Sequence, residues 1–98
     1  MKSGDAEAAV FAAELGDAIS LDLHGLDVES AKHELDSFLN REFMQGTRVV
    51  KIIHGRGAEK LRRMVEQRLT KTPFVDYSRG AQSPSQQGAI TYAVLAKK

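Results

Sequence analysis

The chain has 98 residues, enough for one small domain with a modest core, and no cysteine, which excludes disulfides, cysteine–zinc sites and thiol chemistry. Its composition, 42% hydrophobic and 28% charged, is that of an ordinary globular protein, and no apolar run approaches membrane-spanning length. The formal net charge of +1 hides an asymmetry: residues 1–45 carry three basic and ten acidic residues, and residues 46–98 carry eleven and three. The second half therefore suits a polyanion, unless the halves neutralise each other across the fold.

Residues 4–15 predict a short helix. Asp5 can cap it, Gly16 ends it, and Ala8, Phe11, Ala12 and Leu15 share one face. That stripe is thin, so the helix is expected at the domain edge or frayed. Residues 1–18 read as an N-terminal extension and 19–98 as the domain proper. The N-terminus has no apolar stretch behind basic residues, so no secretory signal is expected, and the compartment reads as cytoplasmic.

Ile19 to Leu23 predicts the first strand, broken by Gly25. Asp27 is a good N-cap for the next helix, with Glu29 favourable in its first turn. Val28, Ala31, Leu35, Phe38, Leu39 and Glu42/Phe43 follow helical spacing, and Gly46 ends the run. Val49 to Ile53 is a second strand, β-branched and nearly all apolar, which suits a central position. A third helix runs from about Ala58 to Leu69 with a core stripe of Leu61, Met64, Val65 and Leu69. Pro73 to Tyr77 predicts a third strand and Ala89 to Leu95 a fourth. Between them, residues 78–88 read as a mobile polar loop without core residues. The six aromatic residues, Phe11 among them, are mostly core candidates. The order predicts an α/β fold: a two-layer α/β sandwich, βαβαββ, with a four-stranded mixed sheet plus a short N-terminal helix.

Two segments carry the chemistry. Leu21-Asp22-Leu23-His24-Gly25 and Ile53-His54-Gly55-Arg56-Gly57 each end a strand in a histidine followed by glycine, and each leads into a helix. Parallel βα units aim both histidines at the carboxyl end of the sheet, where open α/β sheets bind ligands. Asp-x-His puts a carboxylate and an imidazole side by side on one strand face. Asp22 can orient His24 as a general base, or the two can ligate a divalent cation such as Mg²⁺. Alone, the motif is more often a surface pair with no chemical role. At His54 the alternatives are a polar strand terminator and a phosphate-positioning group. Gly55 and Gly57 permit close backbone approach, and Arg56 offers a planar donor fork for phosphate. Lys60 and Arg63, one turn apart, extend a basic track from that loop. The loop lacks the length and Lys-Ser/Thr ending of a nucleotide P-loop. His33, mid-helix, and Ser83 and Ser85, without a histidine partner, receive no role.

Taken together, Leu21 to Gly25, Ile52-Ile53-His54-Gly55-Arg56-Gly57, Leu61-Arg62 and the closing Gly88-Ala89-Ile90-Thr91-Tyr92-Ala93-Val94-Leu95 resemble the Smr (small MutS-related) domain family over about residues 19–96. The resemblance implies a fold like the C-terminal domain of translation initiation factor 3. It implies nucleic-acid binding and endonuclease activity on the phosphodiester backbone of RNA or structured DNA. Asp22-Leu23-His24 matches the family's Asp-Leu-His motif, and His54 to Gly57 its glycine loop. On that basis Asp22, His24 and His54 are the candidate catalytic residues. Gly55, Arg56, Gly57, Lys60 and Arg63 are the candidate phosphate-binding ones, and Asp22 and His24 the ligands of any metal. Expected partners are RNA or DNA, with a ribosome or a larger parent protein beyond them, and no membrane. One departure is Gln86-Gln87-Gly88, a single glycine where the family often has two. A binding module without catalysis, or a protein-interaction domain using the acidic half, are the competing expectations.

Overall fold

The computed structural model describes residues 3–98. Seven elements follow in order: α1 (Ser3–Leu15), β1 (Ile19–Asp22), α2 (Val28–Met44), β2 (Val49–Ile53), α3 (Glu59–Lys71), β3 (Val75–Gly80) and β4 (Ile90–Leu95). They form one mixed sheet in the order β1-β2-β4-β3. β1 and β2 are parallel, with Asp22 opposite Ile53, while β4 runs antiparallel to both β2 and β3. The parallel pair brings the loops after Asp22 and Ile53 out side by side at one edge.

Alternation along the strands divides the core in two. Leu23, Val50, Ile52, Ala93 and Leu95 face α2 and α3, and are fully buried there. α2 contributes Ala31, Leu35, Phe38 and Leu39, and α3 contributes Leu61, Met64, Val65 and Leu69, the residues their spacing predicts. α2 starts where Asp27 accepts a hydrogen bond from the Ser30 amide at 2.8 Å. It ends at Gly46, whose φ of +82° is the left-handed turn that closes many helices. Asp27→Ala is expected to lower stability by about 1 kcal/mol, read as a shift of the urea midpoint at unchanged slope.

α1 departs from expectation. It does not sit at the edge but packs on the second face of the sheet, where Ala6 and Val10 meet Tyr92, Val94 and Ala81. The expected stripe is wrong: Phe11 is 58% and Leu15 71% exposed, while the small side chains of Ala6 and Val10 make the contact. Small residues let the helix lie close to the sheet. Phe11 is therefore not a core residue.

The third strand also differs. It begins two residues later than expected and continues through Ser78, Arg79 and Gly80, because Gly80 pairs with Thr91 and Arg79 with Tyr92 on β4. The expected polar loop shrinks accordingly and holds a core residue, Ala81, 5% exposed. Tyr92 donates from its hydroxyl to Gln86 at 2.6 Å, tying the loop to the sheet. Arg79 explains why the segment is not free: it bonds Glu7 at 2.5 Å and Glu14 at 2.9 Å, both on α1. Part of the charge asymmetry is thus neutralised across the fold. Among the described residues, no helix is long and apolar enough to cross a membrane.

Candidate functional site

The sheet edge after β1 and β2 brings Asp22, His24 and Gly55 together. His24 Nδ1 lies 2.6 Å from Asp22 Oδ1, and the same oxygen accepts the His24 backbone N–H at 3.0 Å. Two bonds from one residue fix the carboxylate on the strand end. The His24 ring lowers the Asp22 pKa most and its backbone N–H adds to this, so Asp22 is an anion at neutral pH. With Nδ1–H donated to the carboxylate, the bond pattern assigns the lone pair to Nε2, on a side chain 70% exposed to solvent. The arrangement is an oriented imidazole on an open ridge. A polymer can reach such a ridge; a small substrate would find no enclosure.

Gly55 is the backbone the pair rests against. Its φ is +95°, and a Cβ built on it would sit 3.3 Å from the His24 Cβ. Gly57 shares the left-handed conformation, φ +83°, but has open space where its Cβ would be. Gly55→Ala and Gly57→Ala should each cost about 1–2 kcal/mol for the backbone. Gly55→Ala is expected to cost more and to displace His24 as well. Equal losses by urea denaturation would remove the packing role given to Gly55.

His54 lies differently from the other candidates. It is buried, 1% exposed, with Nε2 at 3.0 Å from the Thr91 hydroxyl and Nδ1 at 3.4 Å from the Gly55 carbonyl. One tautomer satisfies both: Nδ1 donates to Gly55 and Nε2 accepts from Thr91. Burial pushes its pKa below the usual histidine value, so it is neutral at pH 7. Its side chain therefore braces the glycine loop against β4.

Arg56 turns toward the loop between β3 and β4. Its Nη2 donates to the carbonyls of Pro84, Ser85 and Gln87 at 3.2–3.4 Å. The guanidinium remains exposed, and no other bond to it is made among the described residues. Behind the loop, α3 begins at Ala58 without a side-chain cap. Lys60 and Arg63 are exposed, one turn apart, on the side of α3 that faces α2. Arg63 approaches Glu59 only at 3.9 Å.

Sequence reasoning missed the supports. Thr91, the partner of His54, lies 37 residues away, and Glu14 holds the loop that Arg56 grips. Glu14 accepts the amides of Gln82 at 2.8 Å and Ser83 at 2.6 Å. Spacing could have hinted at the helix face, since Ala6, Val10, Ala13 and Glu14 repeat at helical intervals. Nothing local signals the partners.

Asp22 and His24 offer an oxygen and a nitrogen donor of the kind that suits a divalent cation. Among the described residues, no group of three or more histidine, cysteine, aspartate or glutamate side chains gathers as a metal site. Any cation held here would take its remaining ligands from water or from a substrate phosphate.

Comparison with known proteins agrees with this layout. The family model described as Smr domain matches residues 21–96. The chain is 37% identical over 76 residues to "Endonuclease MutS2" of Aquifex aeolicus and 40% identical over 77 residues to that of Halothermothrix orenii, covering 78% of this chain in each case. It spans about a tenth of the length of these relatives, at 10% of each. Among solved structures, the Smr domain of Thermus thermophilus MutS2 superposes with a TM-score of 0.74 at 28% identity, covering 80% of this chain and 98% of that one. YdaL, a stand-alone small MutS-related protein from Escherichia coli, gives 0.79 at 28%, covering 92% and 76%.

Proposed function

Because the chain belongs to the Smr domain family, a family of nucleic-acid-binding, nuclease-associated domains, we propose that it is an endonuclease that cuts RNA at the Asp22–His24 pair. The observation that carries this reading is the 2.6 Å bond from His24 Nδ1 to Asp22, which leaves Nε2 as an oriented base on an open ridge. The relatives named as endonucleases support the reaction class.

In RNA the nucleophile is already present. His24 Nε2 removes the proton of a 2′-hydroxyl, and the 2′-oxygen forms a bond to the adjacent phosphorus while the bond to the 5′-oxygen breaks. The products are a 2′,3′-cyclic phosphate and a 5′-hydroxyl, which takes its proton from water. Asp22 holds the ring and stabilises the imidazolium that forms. Arg56, with the Gly55–Gly57 backbone, binds the phosphate and balances its developing charge. Lys60 and Arg63 hold the next phosphates. His54 is a positioning residue, setting the glycine loop from behind. A divalent cation at Asp22 and His24 would supply charge to a phosphate or a more acidic water, and would extend the reaction to DNA. The substrate would be a cytoplasmic RNA, delivered on a ribosome or by a larger parent protein.

Pure protein and the Asp22→Ala/His24→Ala variant are to be incubated with end-labelled structured RNA and with branched and supercoiled DNA, each in Mg²⁺ and in EDTA. RNA cleavage that survives EDTA and disappears in the variant is the expected result. Cleavage retained in the variant would overturn the assignment. Binding without cleavage under every condition would replace it with a non-catalytic nucleic-acid-binding module. DNA cleavage confined to Mg²⁺ would move the substrate to DNA.

A further inference from the structure

A groove of about 400 Å³ lies between α2 and α3, outside the Asp22–His24 ridge. Five of its eight lining residues are cations, Lys32, Lys60, Arg63, Arg68 and Lys71, and none is acidic. Its floor is apolar, from Val28 and Met64. Neutralisation within the chain is incomplete. Arg68 is paired with Asp36 at 2.6 Å, but Lys32 reaches Glu29 only at 3.8 Å and Arg63 reaches Glu59 at 3.9 Å. Lys60 and Lys71 make no ion pair among the described residues.

The groove is continuous with the site. Val28 follows His24 by four residues, and Lys60 follows Gly57 by three, so both helices enter the groove from the catalytic edge. From Lys60 to Lys71 α3 advances about 16 Å, at 1.5 Å per residue. We infer that this groove is a track for the phosphate backbone of a single nucleic-acid strand, leading it away from the Asp22–His24 pair. Two packed helices stand about 8–10 Å apart, so the groove between them suits the backbone of one strand rather than the width of a duplex. A run of cations between two helices matches the spaced charges of a phosphate backbone. The inference rests on the nuclease reading for its direction and names the flank of the cut strand as ligand. Lys32 and Lys71, at the two flanks of the groove, are the residues it adds to the phosphate contacts.

The test is fluorescence anisotropy with a labelled, unstructured 2′-O-methyl oligouridylate, which has no free 2′-hydroxyl to be attacked. Binding is measured across a salt series for the wild-type chain, for Lys32→Ala/Lys71→Ala, and for Lys97→Ala/Lys98→Ala. The last pair removes the same net charge; Lys97 borders a different cavity, beside Asp5, Arg48 and Asp76. The groove variant should weaken binding about tenfold at low salt and lower the slope of log K against log salt by about 1.4, roughly 0.7 for each lost phosphate contact. The control pair should leave the slope unchanged. An unchanged slope in the groove variant, an equal loss in the control pair, or no binding by the wild-type chain would each overturn the track. Cleavage of ordinary RNA by the wild-type chain is scored separately, so loss of the track leaves the nuclease reading standing or falling on its own assay.

Discussion

His24→Ala is expected to lower the rate of RNA cleavage roughly 10²- to 10⁴-fold, the range that a positioned general base contributes. Oligonucleotide affinity should change far less, because the proposed role of His24 is at the reacting hydroxyl and not along the run of phosphates. Asp22→Asn separates orientation from charge. The amide oxygen can still accept from Nδ1, but the negative charge that stabilises the imidazolium is lost, so a fall of at least about tenfold is expected. The pH profile discriminates further. Asp22 is held below the usual carboxylate range by the His24 ring and amide, so it does not titrate near neutrality. An acid limb of the wild-type profile should therefore persist in Asp22→Asn. A His24→Ala protein that folds normally and cuts within a factor of about three of wild type would end the general-base assignment.

The strand–helix frame and the Asp22–His24 pair were legible because each depends on near neighbours. Leu61, Met64, Val65 and Leu69 repeat at the helical period, and all four are buried on α3. Asp22 and His24 alternate along one extended segment, so their contact needs no distant partner. The misread features are those fixed by contacts far along the chain. Arg79 looked like part of a mobile loop, yet strand pairing to Tyr92 and ion pairs to Glu7 and Glu14 hold it. Phe11 and Leu15 looked like the buried stripe of α1, yet a helix lying close to a sheet selects the smaller Ala6 and Val10. Arg56 has the local context of a phosphate fork, and the carbonyls that orient it, from residues 84–87, are not signalled by that context. His54 reads from its motif as a strand terminator or a phosphate-positioning group, and nothing in that motif signals its bond to Thr91 on β4.

Glu14 joins these distant features into one support, and its loss should be the most damaging change outside the ridge. Its side chain is 4% exposed and holds Arg79 at 2.9 Å, together with the amides of Gln82 and Ser83. Those amides begin the loop whose later carbonyls accept from Arg56, so α1 reaches the glycine loop through Glu14, the β3–β4 loop and Arg56. Glu14→Ala leaves the part-buried amide bonds of Gln82 and Ser83 without their acceptor and removes one of the two carboxylates facing Arg79. A loss of about 2–4 kcal/mol at pH 7 follows from such groups. Burial alone would raise the Glu14 pKa, but the bonds from Ser83, Arg79 and Gln82 outweigh it and lower the value to about 2, from 4.5. The folded state thus binds this proton less readily than the unfolded chain. The contribution is fully present above about pH 4.5 and is lost as pH falls toward 2. The stability gap between wild type and Glu14→Ala should therefore be wide at pH 7 and narrow steadily at pH values below 4.5, as measured by urea titration. Hydrogen exchange at the Gln82 and Ser83 amides should quicken in the variant even where the sheet stays protected. RNA cleavage should fall as well at temperatures where the variant is folded, because Arg56 loses the fixed loop that orients it. A gap of constant size across the acid range would show that Glu14 acts only by filling space, and protected loop amides would break the chain of contacts from α1 to Arg56.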